Sequence, residues 1–221
     1  SIGFVSGKVY WHNKPNTLQT AGRFNDPMIL AGSHVGGGEV DRGQYDTVTD
    51  YDFVDDVYLL VRRAVYERVG GYDPNFFLYF EETDWCARVR QAGFRIVYAP
   101  KAKIWHKGNI GGGSTTLSPE RHYFLTRNQV IFVARNAAPA HLRRYLLWSL
   151  RTQAVDAARY VKHGFFKHPI ARLRGLASGT WWWWKNRDAV SPGGASRAGG
   201  AASGALQGKV LNEVKGEAYG P

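Results

Sequence analysis

Phe76-Phe77-Leu78-Tyr79-Phe80-Glu81-Glu82-Thr83-Asp84-Trp85 sets an apolar aromatic run directly against three carboxylates. Aromatic surface beside clustered charge is expensive to hold, so such junctions commonly have a task. From Glu82 the apolar positions Trp85, Val89 and Ala92 recur at helical spacing, and Gly93 supplies a stop, which predicts a helix over 82–92. Asp84 and Arg88 stand four apart in the favourable acid-before-base order. Glu81, Glu82 and Asp84 fall in or beside the first turn, where the helix dipole favours carboxylates. Locally two readings stand: the acids cap the helix and pair with Arg88 or Arg90, or they form part of a reaction site.

Outward from this stretch the chain reads as mixed α/β as far as residue 136. Strands are expected near 3–10, 52–62, 94–98 and 101–106, and helices near 63–69, 82–92 and 118–136. Ser118-Pro119 offers an N-cap followed by a proline at the first helical position. The segment from Asn13 to Asp50 is rich in Gly, Asn and Asp and is expected to be mostly loop. Gly111-Gly112-Gly113-Ser114-Thr115-Thr116 reads as a flexible loop, either a lid over a site or a plain connector.

Several separated motifs occur in order. Asp52-Phe53-Val54-Asp55-Asp56 leads to Val69-Gly70-Gly71-Tyr72-Asp73-Pro74-Asn75-Phe76-Phe77 and the acidic helix. Gly93-Phe94-Arg95-Ile96-Val97-Tyr98-Ala99-Pro100, Ala102-Lys103-Ile104-Trp105-His106 and Tyr123-Phe124-Leu125-Thr126-Arg127-Asn128 follow. From about Ser1 to Asn136 this series resembles the C-terminal, acceptor-side half of the catalytic domain of family-2 glycosyltransferases, in the rhamnosyltransferase-like branch that builds bacterial surface polysaccharides. The resemblance implies part of a GT-A (Rossmann-like) domain with a mixed sheet. It also implies inverting transfer of a sugar, rhamnose being the one the branch suggests, from a nucleotide-diphosphate donor to a hydroxyl of a glycan or polyprenyl-linked acceptor.

Site roles follow residue by residue from that resemblance. The family usually reads Glu-Asp-x-Asp where this chain has Glu81-Glu82-Thr83-Asp84. Glu82 takes the position of the general base, with one extra methylene, while Glu81 and Asp84 support the helix start and acceptor positioning. His106 falls where relatives place a histidine that helps bind a divalent ion, Mg²⁺ or Mn²⁺. From the residue alone it is equally a satisfied, semi-buried histidine beside Trp105. Arg127 is a candidate for contact with diphosphate or acceptor, or else a brace for the acidic helix. Asp55, Asp56 and Trp85 fall on the acceptor side; the two aspartates either select a hydroxyl-rich acceptor or are solvated at a strand edge.

The family normally opens with a nucleotide-binding half ending in an Asp-x-Asp metal motif. Ser1-Ile2-Gly3-Phe4-Val5 resembles the strand just after it, and no Gly-rich phosphate loop precedes a helix in this chain. Neither Asp41 and Asp46 nor Asp55-Asp56 stands in a segment that would replace the motif. The expectation is a fragment that lacks its N-terminal nucleotide-binding half and does not turn over alone. The other expectation is a catalytically inactive remnant that serves as a membrane- or subunit-binding module.

Beyond residue 136 the character changes. Residues 137–188 alternate apolar residues with arginines and lysines, and Leu146, Leu147, Leu150, Ala154, Ala157 and Val161 give a helical stripe. Phe165-Phe166 and Trp181-Trp182-Trp183-Trp184 add aromatic mass of the kind favoured at a lipid–water boundary. No apolar run reaches spanning length. The segment is expected to be a basic amphipathic appendage that lies peripherally on the inner, cytoplasmic face of the cell membrane, or to pack on the preceding domain or a partner chain. Residues 189–221 are Gly/Ala/Ser-rich and expected to be a disordered tail. The net charge of +11 would suit a nucleic-acid binder, but no nucleic-acid motif accompanies it, so no nucleic-acid partner is expected. The single cysteine, Cys86, excludes an internal disulfide and fits the cytosol.

Overall fold

Strand β1 (Ile2–Trp11) runs through the middle of the sheet, and all of its residues except Ile2, Val5 and Trp11 are buried. The computed structural model describes residues 1–108 and 118–190; the glycine-rich stretch 111–116 and the tail from 191 lie outside the described residues. β1 pairs in parallel with β7 (Arg95–His106) along its length. Its other edge is shared, β6 (Leu60–Val61) running antiparallel to Phe4 and Val5, and β2 (Lys14–Thr20) antiparallel to Val9–Trp11. β5 (Thr49–Asp50) adds antiparallel to β7 and completes a mixed five-stranded sheet. A parallel central pair is stable only when both faces are covered, and the near-continuous burial of β1 reflects this.

Lys8 sits in the middle of that buried strand with 1% exposure. Its ammonium is neutralised by Asp41 at 2.6 Å and by Asp46, while the Tyr10 hydroxyl donates to Asp41. Burial works against the Asp41 charge, yet hydrogen bonds from Lys8 and Tyr10 hold its carboxyl down at about 2. Asp41 and Asp46 are therefore bound to a core lysine.

The structure departs from the sequence expectation in three places. The segment 13–50 is not mostly loop: it holds β2, a β3–β4 hairpin (Arg23–Asn25 with Gly32–His34) and β5. β3, β4 and β5 are only two or three residues long, and the seven residues of β2 carry one large apolar side chain, Leu18, so no period-two pattern registers; the glycines mark the turns. Gly22, at φ +119°, turns β2 into β3 against the Tyr51 ring. The strand expected over 52–62 shrinks to β6, because a 3₁₀ turn at Asp56–Tyr58 interrupts it and only Phe4 and Val5 offer it partners. The strands expected at 94–98 and 101–106 are one strand with a bulge. Ser6 pairs with Tyr98 but Lys8 with Lys103, so Gly7 faces a step holding Pro100, where no ladder bond is lost.

Among the described residues there are five α-helices: α1 (Arg63–Val69), α2 (Glu81–Gln91) and α3 (Pro119–Asn136) fall within one residue of the expected ranges, and α4 (Pro139–Lys162) and α5 (Lys167–Asn186) make up the basic segment beyond residue 136. The Ser118 hydroxyl accepts from the Arg121 amide and Pro119 opens α3, as the N-cap pattern predicts. The main core joins Phe4 and Ile96 of the sheet to Trp85 and Val89 of α2 and to Ile131 and Phe132 of α3. α5 lies along α3, brought close by Gly175 and Gly179, whose Cα atoms face the Tyr123 and Arg127 carbonyls.

That close approach gives a direct test. A Cβ added at Gly179 would lie 2.7 Å from both the Arg127 carbonyl oxygen and the Val130 Cβ. Gly179→Ala is expected to lower stability by about 1–3 kcal/mol despite its better helix propensity, read as a lower urea midpoint.

Candidate active site

The chain enters α2 through two consecutive left-handed residues, Tyr79 at φ +66° and Phe80 at φ +71°. Each costs an L-residue roughly 1–2 kcal/mol, so the turn persists only if its surroundings impose it. Asn128 of α3 does so. Its amide is fully buried and donates to the Leu78 carbonyl at 2.8 Å and the Tyr79 carbonyl at 2.9 Å. Arg127 donates to the Asn128 side-chain oxygen at 2.7 Å and to the Asn75 carbonyl at 2.8 Å. Trp182 of α5 donates to the Asn75 side chain at 3.0 Å. The helix then starts with its acids at once, and the Phe80 carbonyl accepts from the Asp84 amide.

The three acids have different surroundings. Asp84 is buried between Arg88 at 2.7 Å and Arg135 at 3.3 Å, and Arg135 also bonds Asp73 and lies over the Phe76 and Trp182 rings. It ties α2 to α3. Glu82 directs one oxygen at Arg23, 2.6 Å away, and accepts the Thr83 hydroxyl on that same oxygen. Arg23 comes from β3 and is itself fixed: Nε and Nη2 donate to the Gly32 carbonyl, and Nη1 reaches Asp55 at 3.1 Å. His34 sits 3.3 Å from the other Asp55 oxygen. Burial opposes ionisation of Asp55, but His34 and Arg23 keep its carboxyl below the usual aspartate range. Glu81 has a buried carboxylate oxygen with no hydrogen-bond partner among the described residues. Burial, reinforced by the charges of Glu82 and Asp56, pushes its carboxyl up to about 7.

Glu81, Glu82, Asp55 and Asp56 thus gather in one region, Glu82 and Asp55 sharing Arg23, with Tyr72 donating to Asp56 at 2.9 Å. Trp85, expected on the acceptor side, is buried instead: it packs edge-on against Phe4 and donates its N–H to the Gly70 carbonyl. Arg127 serves the turn before α2, as described above. His106 ends β7, with Nδ1 2.8 Å from the Gln19 side-chain oxygen. Among the described residues no group of three or more His, Cys, Asp or Glu side chains is placed to hold a metal ion. A divalent ion at His106 would need its other ligands from elsewhere. Sequence reading missed Arg23 and His34. They lie in the segment read as loop, and their partners are 59 and 21 positions away along the chain, so no local pattern links them.

Partial similarity to known proteins runs in one direction. The chain is 32% identical over 93 residues to the N-acetylglucosaminyl-diphospho-decaprenol L-rhamnosyltransferase of Mycobacterium tuberculosis, covering 42% of this chain and 29% of that protein. It is 30% identical over 128 residues to the dTDP-rhamnosyl transferase RfbF of Shigella flexneri, covering 53% and 43%. It is 40% identical over 61 residues to the rhamnosyltransferase WbbL of Escherichia coli, covering 28% and 22%. The chain therefore spans less than half the length of these curated relatives. No protein-family model matches it. The resemblance to rhamnosyltransferases read from the motif series is what these similarities show.

Two measurements probe the site without substrate. Asn128→Ala leaves two buried carbonyls unpaired beside a strained turn and is expected to cost about 2–4 kcal/mol in urea unfolding. Glu81 carries a carboxyl raised above its ordinary 4.5, so the folded state binds the extra proton and wild-type stability falls as pH rises from about 4.5 to about 7. Glu81→Gln is expected to match wild type near pH 4.5 and to exceed it by about 1–3 kcal/mol at pH 8.

Proposed function

We propose that this chain forms the acceptor side of a rhamnosyltransferase of cell-surface polysaccharide synthesis. The donor would be a nucleotide-diphosphate sugar, with dTDP-rhamnose the first choice because one relative is named for dTDP-rhamnosyl transfer. The acceptor would be a glycan or a polyprenyl-diphosphate sugar, the class named for the mycobacterial relative. The observation that carries this reading is the paired carboxylates Glu81 and Glu82, presented by a constrained turn at the start of α2.

In the proposed reaction the acceptor hydroxyl oxygen attacks the anomeric carbon as its proton passes to a carboxylate. The new glycosidic C–O bond forms while the bond from that carbon to the diphosphate oxygen breaks, and the nucleoside diphosphate leaves with the bonding pair. A single displacement inverts the anomeric carbon. Glu82 is the proton acceptor in this reading. Arg23 anchors one of its oxygens and leaves the other with no protein partner among the described residues, so the carboxylate is oriented before substrate arrives. Asp55 and His34 act through Arg23. Mg²⁺ or Mn²⁺, if bound with His106 among its ligands, would supply charge stabilisation at the leaving diphosphate.

Glu81 supports a second assignment. A carboxyl near 7 with an unpartnered oxygen is itself suited to proton transfer at neutral pH. The two assignments separate by mutation in the full-length natural protein, assayed for transfer from dTDP-rhamnose to an N-acetylglucosaminyl-diphospho-polyprenol. Glu82→Gln is expected to lower turnover at least about 100-fold with donor affinity retained. Glu81→Gln is expected to change the pH profile near neutrality with a smaller loss. The reverse pattern would transfer the role to Glu81, and unchanged turnover in both variants would remove the acidic turn from the chemistry.

A further inference from the structure

The run Trp181–Trp184 divides between two environments. Trp182 points inward, bonding Asn75 and stacking on Arg135, and Trp183 packs on the core between α3 and α4. Trp181 and Trp184 point outward, 60% and 51% exposed, their rings stacked 5.1 Å apart. They end an exposed stripe along α5 that includes Ile170, Leu173 and Ala177, spaced three or four residues apart. α4 carries its own exposed apolar positions, Leu147 and Leu150, and Leu150 meets the α5 stripe across a shallow groove of about 610 Å³. Monomeric soluble proteins seldom leave so continuous an apolar face uncovered.

Its border is basic. Residues 137–190 hold ten lysines and arginines against two aspartates, and one of those aspartates, Asp156, is already bound to Arg172 at 2.6 Å. Arg143, Arg144 and Arg151 flank the α4 positions, and Arg174 and Lys185 flank the α5 stripe, all of them exposed. A second copy seated on this face would bring two cationic borders together, which disfavours self-association. A surface of negative charge over an apolar interior matches both features: headgroups meet the cations, and the acyl boundary takes up the indoles and leucines. No described helix is long and apolar enough to cross a membrane, so contact would be in the plane of the surface.

We propose that the outer face of α4 and α5, centred on Trp181, Trp184, Leu150 and Leu173, docks on an anionic lipid bilayer. The inference is independent of the sugar-transfer reading. α5 presents Trp181 and Trp184 to the lipid while Trp182, one residue along, holds the turn that carries the acids, so docking would fix the acidic turn relative to the membrane plane.

The test uses the full chain in co-sedimentation with vesicles, comparing equal parts phosphatidylglycerol and phosphatidylcholine with phosphatidylcholine alone. Partition is expected to be at least about tenfold stronger on the anionic vesicles and to fall with added salt. The Trp181→Ala/Trp184→Ala double variant is expected to lose about tenfold or more on the anionic vesicles while its urea midpoint stays near wild type, since both rings are exposed. Arg151→Glu/Arg174→Glu is expected to abolish the preference for anionic lipid. Binding that neither variant weakens would overturn the proposal. So would a lipid-free dimer, seen by light scattering, that the tryptophan variant dissociates, because a second copy would then be the occupant.

Discussion

Two left-handed backbone positions before α2 depend on one buried amide. Tyr79 and Phe80 would relax toward ordinary dihedral angles if Asn128 did not occupy the Leu78 and Tyr79 carbonyls. Relaxation would move the start of the helix, and each residue of shift rotates the acids by about 100°. The side chains that hold this region come mainly from α3: Arg127 and Asn128 at the turn, and Arg135 on Asp73 and Asp84. α3 is in turn seated on α5 by the glycine contacts, and Trp182 closes the circuit at Asn75. The helices after residue 118 are thus part of what aims the acidic motif.

Electrostatics divides the labour among the acids. One guanidinium, Arg23, serves both Glu82 and Asp55, and its fork of donors also takes the Gly32 carbonyl, a geometry lysine cannot reproduce. Asp84 is neutralised on the inner side by Arg88 and Arg135. Among the described residues Glu81 has burial and neighbouring negative charge but no cationic partner, and that imbalance drives its carboxyl toward neutrality. Neighbouring carboxylates in one turn therefore differ in character through partners brought by other elements. Lys8 shows the same logic in the sheet: a buried charge is tolerable there because Asp41 and Asp46 arrive from a distant loop.

The sequence by itself determined the α/β class, the order of α1, α2 and α3 and their limits to within one residue, and the position of the acidic motif. These rest on local signals, namely helical periodicity, the Ser118-Pro119 cap and the Gly93 stop, which act over a few residues. It also carried the resemblance to rhamnosyltransferases, because ordered motifs are a property of the chain. It did not show the strands of 13–50 or the joining of two expected strands into the single bulged β7, because these follow from pairing with neighbouring strands rather than from local pattern. The Arg23–Glu82 pair, the burial of Trp85, the inward and outward division of the four tryptophans and the titration of Glu81 were decided only by tertiary structure. Each depends on charges and surfaces that are distant along the chain and meet only when it folds, and ionisation and burial respond to distance in space.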